Sequence, residues 1–112
     1  MKLALAQLDI AFEDKSTNKE TSKQFIKQAA SENVDMIFFP EMTLTGFSMN
    51  PSYIGEDNNE TIEFFKEMST KHHLSIGFGY VEGTSHSKNK YKVVAPQGNE
   101  LVDYAKIHPF SY

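Results

Sequence analysis

The sequence predicts an α/β fold whose sheet starts with parallel strands and drifts into antiparallel pairing. Three observations carry this expectation. Short apolar runs at 2–10 and 34–40 alternate with segments of helical spacing, as in βαβ units. Within "VDMIFFP" no residue from Met36 to Phe39 is polar, the pattern of a strand covered on both faces. From residue 74 onward, strand-like runs follow one another with only turns between them.

"KLALAQLDI" (2–10) is short, apolar and bounded by polar residues, which predicts a central strand. "STNKETSKQFIKQAASEN" follows as a helix, with Ser16 or Thr17 as its cap, Phe25, Ile26, Ala29 and Ala30 on one face, and Asn33 at its end. After the second strand, 43–59 is rich in Gly, Ser, Asn and Pro and reads as a long loop. "ETIEFFKEMSTKHH" returns to helical spacing, with Ile62, Phe65 and Met68 on one side. "LSIGFGY" (74–80) sets Leu74, Ile76, Phe78 and Tyr80 against small residues, with glycines where something packs closely. "YKVVAP", "PQGNE" and "LVDYAKIHPF" read as strand, turn and strand. The order β-α-β-α-β-β-β begins like a three-layer unit, yet only two helices are available to cover the sheet.

The composition narrows the class. At 112 residues, 39% hydrophobic and 23% charged, the chain reads as one globular domain with room for a modest core. Net charge is −4 and the basic residues are scattered, so nucleic acid is not an expected partner. There are no cysteines, which removes disulfides, thiolate metal sites and a thiol nucleophile from these residues. The apolar run before Asp9 is too short for a signal-peptide core, and no stretch approaches the roughly 20 residues of a membrane span. A cytoplasmic location without membrane contact is expected.

Glu41 is the first candidate for chemistry. It follows "MIFFP", where a buried strand delivers its last residue. A carboxylate partly stripped of water there gains proton affinity and suits general-base work, and strand ends of open α/β sheets commonly carry sites. The alternative is a plain loop cap. Lys106, in "DYAKIHPF", stands between Ala105 and Ile107 in an apolar pattern. Alone it reads as a lysine reaching for solvent; beside Glu41 it becomes a clamp for a developing oxyanion. His72 and His73 end a helix, where positive charge suits the dipole, and with His86 they make no metal-binding spacing. Gly77 and Gly79 lack the third glycine of a dinucleotide fingerprint, so neither cofactor nor metal is expected.

"LALAQLDI", "MIFFPEMTLTGF" and "GNELVDYAKIHPF", in that order, resemble the carbon–nitrogen hydrolase (nitrilase) superfamily, and the match runs from Met1 to Tyr112. "PEMTLTGFSM" is further similar to the small-amide hydrolases that include the omega-amidases. The resemblance implies the N-terminal half of a four-layer α-β-β-α sandwich, a mixed sheet with two covering helices. It also implies a Glu-Lys-Cys triad: Glu41 as general base, Lys106 stabilising the oxyanion, and a cysteine forming a thioester before water releases the acid. Phe47 would line the substrate pocket. Glu41 and Lys106 should then leave adjacent strand ends and face one cleft.

The chain departs from that family where the nucleophile is due, since it holds no cysteine. Residues 1–112 therefore read as one partial carbon–nitrogen hydrolase domain, related to hydrolases of small aliphatic amides but inactive by itself. The alternative is a non-catalytic interaction module or pseudo-enzyme fragment that exposes the sheet face its missing half should cover. The family's habit of pairing subunits implies a dimer or higher oligomer, with a small-molecule amide as the substrate.

Overall fold

The computed structural model describes residues 1–46, 48, 54–56, 58–84 and 88–105. Its strands are β1 (Leu3–Leu5), β2 (Met36–Phe38), β3 (Ser75–Glu82), β4 (Lys88–Val94) and β5 (Glu100–Ala105). Helix α1 (Lys15–Ser31) joins β1 to β2, and α2 (Glu60–His72) precedes β3. The five strands form one mixed sheet in the order β1-β2-β3-β4-β5. β1, β2 and β3 run parallel, and β4 and β5 pair antiparallel as hairpins. The predicted drift from parallel to antiparallel pairing is what forms.

Two local expectations change. β1 is not central but lies at the end of the sheet, because each crossover adds its next strand on the same side and leaves the first outermost. The helices also cover one face only, while the other carries just a small buried cluster of Met42, Ile54 and Val81. Ile26 and Ala29 from α1 and Ile62, Phe65 and Met68 from α2 share a single core with Ile37, Ile76, Phe78 and Val94, so two layers form where three were expected. That is the α-β half of the sandwich that the resemblance implied.

Helical periodicity located this core well. Phe65 is fully buried, stacked on Phe78 at 4.6 Å between ring centroids and tilted against Phe39 at 5.4 Å. Aromatic pairs at these separations add to the apolar area they bury. Asp14, not Ser16 or Thr17, caps α1: it accepts the Thr17 amide at 3.1 Å and the Thr17 hydroxyl at 2.8 Å. These bonds hold the Asp14 carboxyl below its usual range. Asn33 ends the helix as expected, in the left-handed region with φ 58°.

Where the helices stop, the covered face is finished by charge. Lys92 is 6% exposed and sits 2.7 Å from Glu100 and 3.2 Å from Asp103, while Lys90 meets Asp103 at 2.8 Å. The opposite face is covered by Met42 and Ile54 over Val81 but is left bare toward β1 and β5. There Leu3 and Leu5 are 57% and 80% exposed, and Val102 and Tyr104 are 47% and 57% exposed.

Candidate functional site

Glu41 lies in the turn directly after β2, half-buried. The way the backbone makes this turn sets its position. The amide of Phe39 donates to Gly77 O at 2.8 Å, the last regular rung between β2 and β3. In an uninterrupted parallel ladder, the amide of residue 41 would next donate to Gly79 O. Instead the Thr43 amide donates to Gly79 O at 3.0 Å, and the Gly79 amide donates to the Thr43 hydroxyl at 3.2 Å. Two residues, Glu41 and Met42, are thus looped out of the ladder. Met42 takes a left-handed conformation with φ 49°, and the Thr43 hydroxyl closes the loop by donating to Pro40 O at 2.6 Å.

The glycines of "GFGY" make room for this arrangement, as their spacing suggested. A Cβ on Gly79 would stand 2.7 Å from Met42 N and 2.8 Å from the Glu41 Cα, both backbone atoms. One on Gly77 would stand 2.6 Å from the Phe38 ring and 2.9 Å from the Tyr91 hydroxyl. Tyr91 lies opposite Gly79 on β4 and donates to Phe39 O at 2.7 Å. Burial pushes its phenol up to about 12, so it stays a neutral donor.

The far end of the turn is also tied down. Asn18, fully buried in α1, donates to Leu44 O at 2.6 Å and to Ala11 O at 2.7 Å, and the Glu13 amide donates to Thr45 O at 2.7 Å. Buried Glu56 accepts the Thr61 amide at 2.7 Å and Lys15 at 2.9 Å, which fixes the loop's return to α2. Neither Asn18, Glu56, Thr43 nor Tyr91 stood out in the sequence. Only the glycines signalled that something would pack closely.

The other candidates divide as follows. Lys106 and Phe47 lie outside the described residues. β5, which leads toward Lys106, is not adjacent to β2, because β3 and β4 lie between them. It does run parallel to β2, so both strands end at the same edge of the sheet, with Gly79, Tyr91 and Tyr104 paired in one row across it. His72 is not a charged cap: burial, then Lys71, Lys27 and His73, lower its pKa. His73 turns the chain at the helix end with φ 56°. No group of metal-ligating side chains occurs among the described residues, and none of their helices is long and apolar enough to cross a membrane. A hollow of about 350 Å³ lined by Glu13, Asp14, Lys15, Ile54 and Glu60 is separate from Glu41. Its carboxylates are already engaged by Ser48, Thr17 and Lys19.

A half-buried carboxylate on a braced turn at the carboxyl edge of a mixed sheet stands where α/β proteins commonly carry a site. Residues 2–112 match the carbon-nitrogen hydrolase family, and the chain belongs to it. It is 28% identical over 112 residues to the hydrolase in the agr operon of Staphylococcus aureus, covering 96% of this chain and 43% of that one. To the protein N-terminal amidase of Saccharomyces cerevisiae it is 33% identical over 88 residues, 71% of this chain and 19% of that one. Its fold is similar to that of an amidase from Nesterenkonia sp., with a TM-score of 0.86 at 15% identity, over 96% of this chain and 43% of the amidase. The chain thus spans less than half the length of these relatives.

Proposed function

We propose that this chain carries the base and the oxyanion-stabilising lysine of a cysteine-dependent amide hydrolase, as one partial domain over residues 1–112. The observation that carries the reading is the looped-out turn that holds Glu41 half-buried at the sheet edge. Glu41 is the general base that takes the thiol proton. Lys106 stabilises the oxyanion of the tetrahedral intermediate, and Phe47 lines the acyl pocket. The thiolate attacks the amide carbon, Glu41 passes the thiol proton to the departing nitrogen so that the C–N bond breaks and ammonia leaves, and water then cleaves the thioester to the acid and the free thiol. No cysteine occurs in these 112 residues, so the thiol has to come from outside them. Small aliphatic amides of the omega-amidase type are the proposed substrates; membership of the family and the named activity of the yeast amidase support amide hydrolysis.

The test is ammonia release from small aliphatic amides, by the 112-residue chain and by a longer form that includes a cysteine. The longer form is expected to turn over and the chain alone is not; robust turnover by the chain alone would overturn the cysteine mechanism. In the active form, Glu41→Gln should abolish turnover and leave the melting temperature nearly unchanged, since shape is kept and only the base is lost.

One observation favours a second reading, an interaction module that binds through its bare sheet face. Leu3, Leu5, Val102 and Tyr104 leave that face apolar and exposed, and such patches mark interfaces. Sedimentation of the chain alone discriminates: a dimer or larger species is expected, and a well-behaved monomer would count against it.

A further inference from the structure

We infer that Tyr91 is a positioning residue for Glu41, acting through the carbonyl of Phe39; the inference rests on the reading of Glu41 as the base. Looping Glu41 and Met42 out of the ladder has a cost at Phe39. In a continuous parallel pair its carbonyl would accept the Gly79 amide, but that amide is taken by the Thr43 hydroxyl. The Phe39 carbonyl is therefore released two residues before Glu41, in a part-buried setting where an unmet acceptor is unfavourable. Tyr91 supplies the missing donor from β4. To do so its side chain crosses β3 over Gly77, whose absent Cβ would lie 2.9 Å from the tyrosine hydroxyl.

The result is a closed set of bonds around Pro40, Glu41 and Met42. Tyr91 holds the Phe39 carbonyl before the loop, Thr43 holds the Pro40 carbonyl within it, and Gly79 holds Thr43 after it. On the far side the loop is held by Thr43 and, beyond it, by the Gly46 amide on Met42 O and by Asn18 on Leu44 O. Without the tyrosine hydroxyl the near side loses the bond on the Phe39 carbonyl and keeps the Phe39 amide on Gly77 O and Thr43 on Pro40 O, so the peptide between Phe39 and Pro40 is held less firmly and the Glu41 Cα with it. A base that wanders by a fraction of an ångström loses productive geometry without losing the fold. Tyr91 stays protonated at working pH, as burial raises its phenol, so the brace does not itself titrate in the range where a carboxylate works.

Tyr91→Phe removes only the hydroxyl and tests this in two ways. In the 112-residue chain, amide hydrogen exchange at Thr43 and Gly79 should quicken about tenfold, the loss of one neutral hydrogen bond, while Ile76 and Phe65 exchange as before. Unchanged exchange at Thr43 and Gly79 overturns the inference, and so does uniform quickening across the core, which would mark a merely structural role. In a catalytically active longer form, Tyr91→Phe should lower kcat about tenfold with KM little changed, and should shift the acidic limb of the pH profile. An unaltered kcat and pH profile in an enzyme that Glu41→Gln inactivates also overturns it. Activity retained by Glu41→Gln sinks the base reading instead, and the exchange data then decide separately whether Tyr91 braces the turn.

Discussion

The two faces of the sheet are built on opposite principles. The helix-covered face is filled by Ile37, Ile76, Phe78 and Val94 under Phe65 and Met68, and its open corner is closed by Lys92 between two carboxylates. On the bare face, glycines replace large side chains at 77 and 79, and the backbone of Glu41 and Met42 settles into the space. The first face is where this chain gains its stability. The second is where it sacrifices packing to place a carboxylate, and where it leaves Leu3, Leu5, Val102 and Tyr104 exposed. Stability and site geometry should therefore respond to different substitutions.

The largest expected effect is on the covered face. Phe65→Ala should destabilise the chain by about 3–5 kcal/mol, since a fully buried ring is lost from between Phe39 and Phe78. Urea denaturation measures it; a loss below about 1 kcal/mol would mean the core lies elsewhere. Next comes Gly79→Ala, the bare face's own demand. The new methyl would press on backbone atoms at 2.7 and 2.8 Å, so about 1–3 kcal/mol is expected, with spectral changes concentrated at residues 41–43. Changes spread evenly over the protein would blur the comparison.

A smaller effect separates charge from packing on the covered face. Hydrogen bonds from Lys92 and from Lys90 hold Glu100 and Asp103, respectively, below the ordinary carboxylate range. Burial works against the Lys92 charge, but its bonds to the same two carboxylates prevail and raise its pKa. Depressed carboxylates contribute stability above their unfolded values, and that contribution is lost as pH falls through the folded ones. The melting temperature should thus drop as pH falls below about 4, the ordinary carboxylate value. Lys92→Ala should flatten that drop and cost about 1–2 kcal/mol at neutral pH, less than a fully buried pair because both carboxylates are partly wet. An equally steep acid limb in the variant would show that other groups cause it. The smallest effect is Leu5→Ser on the bare face, within about 0.5 kcal/mol of neutral for the folded monomer. Its visible consequence should be weaker self-association in sedimentation; a loss matching Phe65→Ala would show the bare face to be covered.

Much of this was legible in the residues themselves. Ile62, Phe65 and Met68 repeat every three positions, and Ile26 and Ala29 do the same in α1, so each helix announced its buried side. Glu41 was legible as the residue following an apolar strand and a proline, and the glycines at 77 and 79 as places of close approach. The cap of α1 was misplaced by two or three positions because Asp14, Ser16 and Thr17 are all competent, and only the chain's path selects Asp14. Nothing in "YKVVAP" marked Lys92; its burial depends on Glu100 and Asp103 arriving from the next strand.

What the sequence by itself determined is local: seven elements in their order, the apolar face of each helix, the turn at "PQGNE" and a carboxylate at the end of β2. These follow from periodicity and turn chemistry, which act between near neighbours along the chain. Only the tertiary structure decided that both helices share one face, that β1 lies outermost, and that Thr43 takes the rung residue 41 would have held. Tyr91 reaching over Gly77 to Phe39 spans 52 residues of sequence. Pairings at that distance are chosen by which strands meet and in what register, and no local pattern encodes that choice.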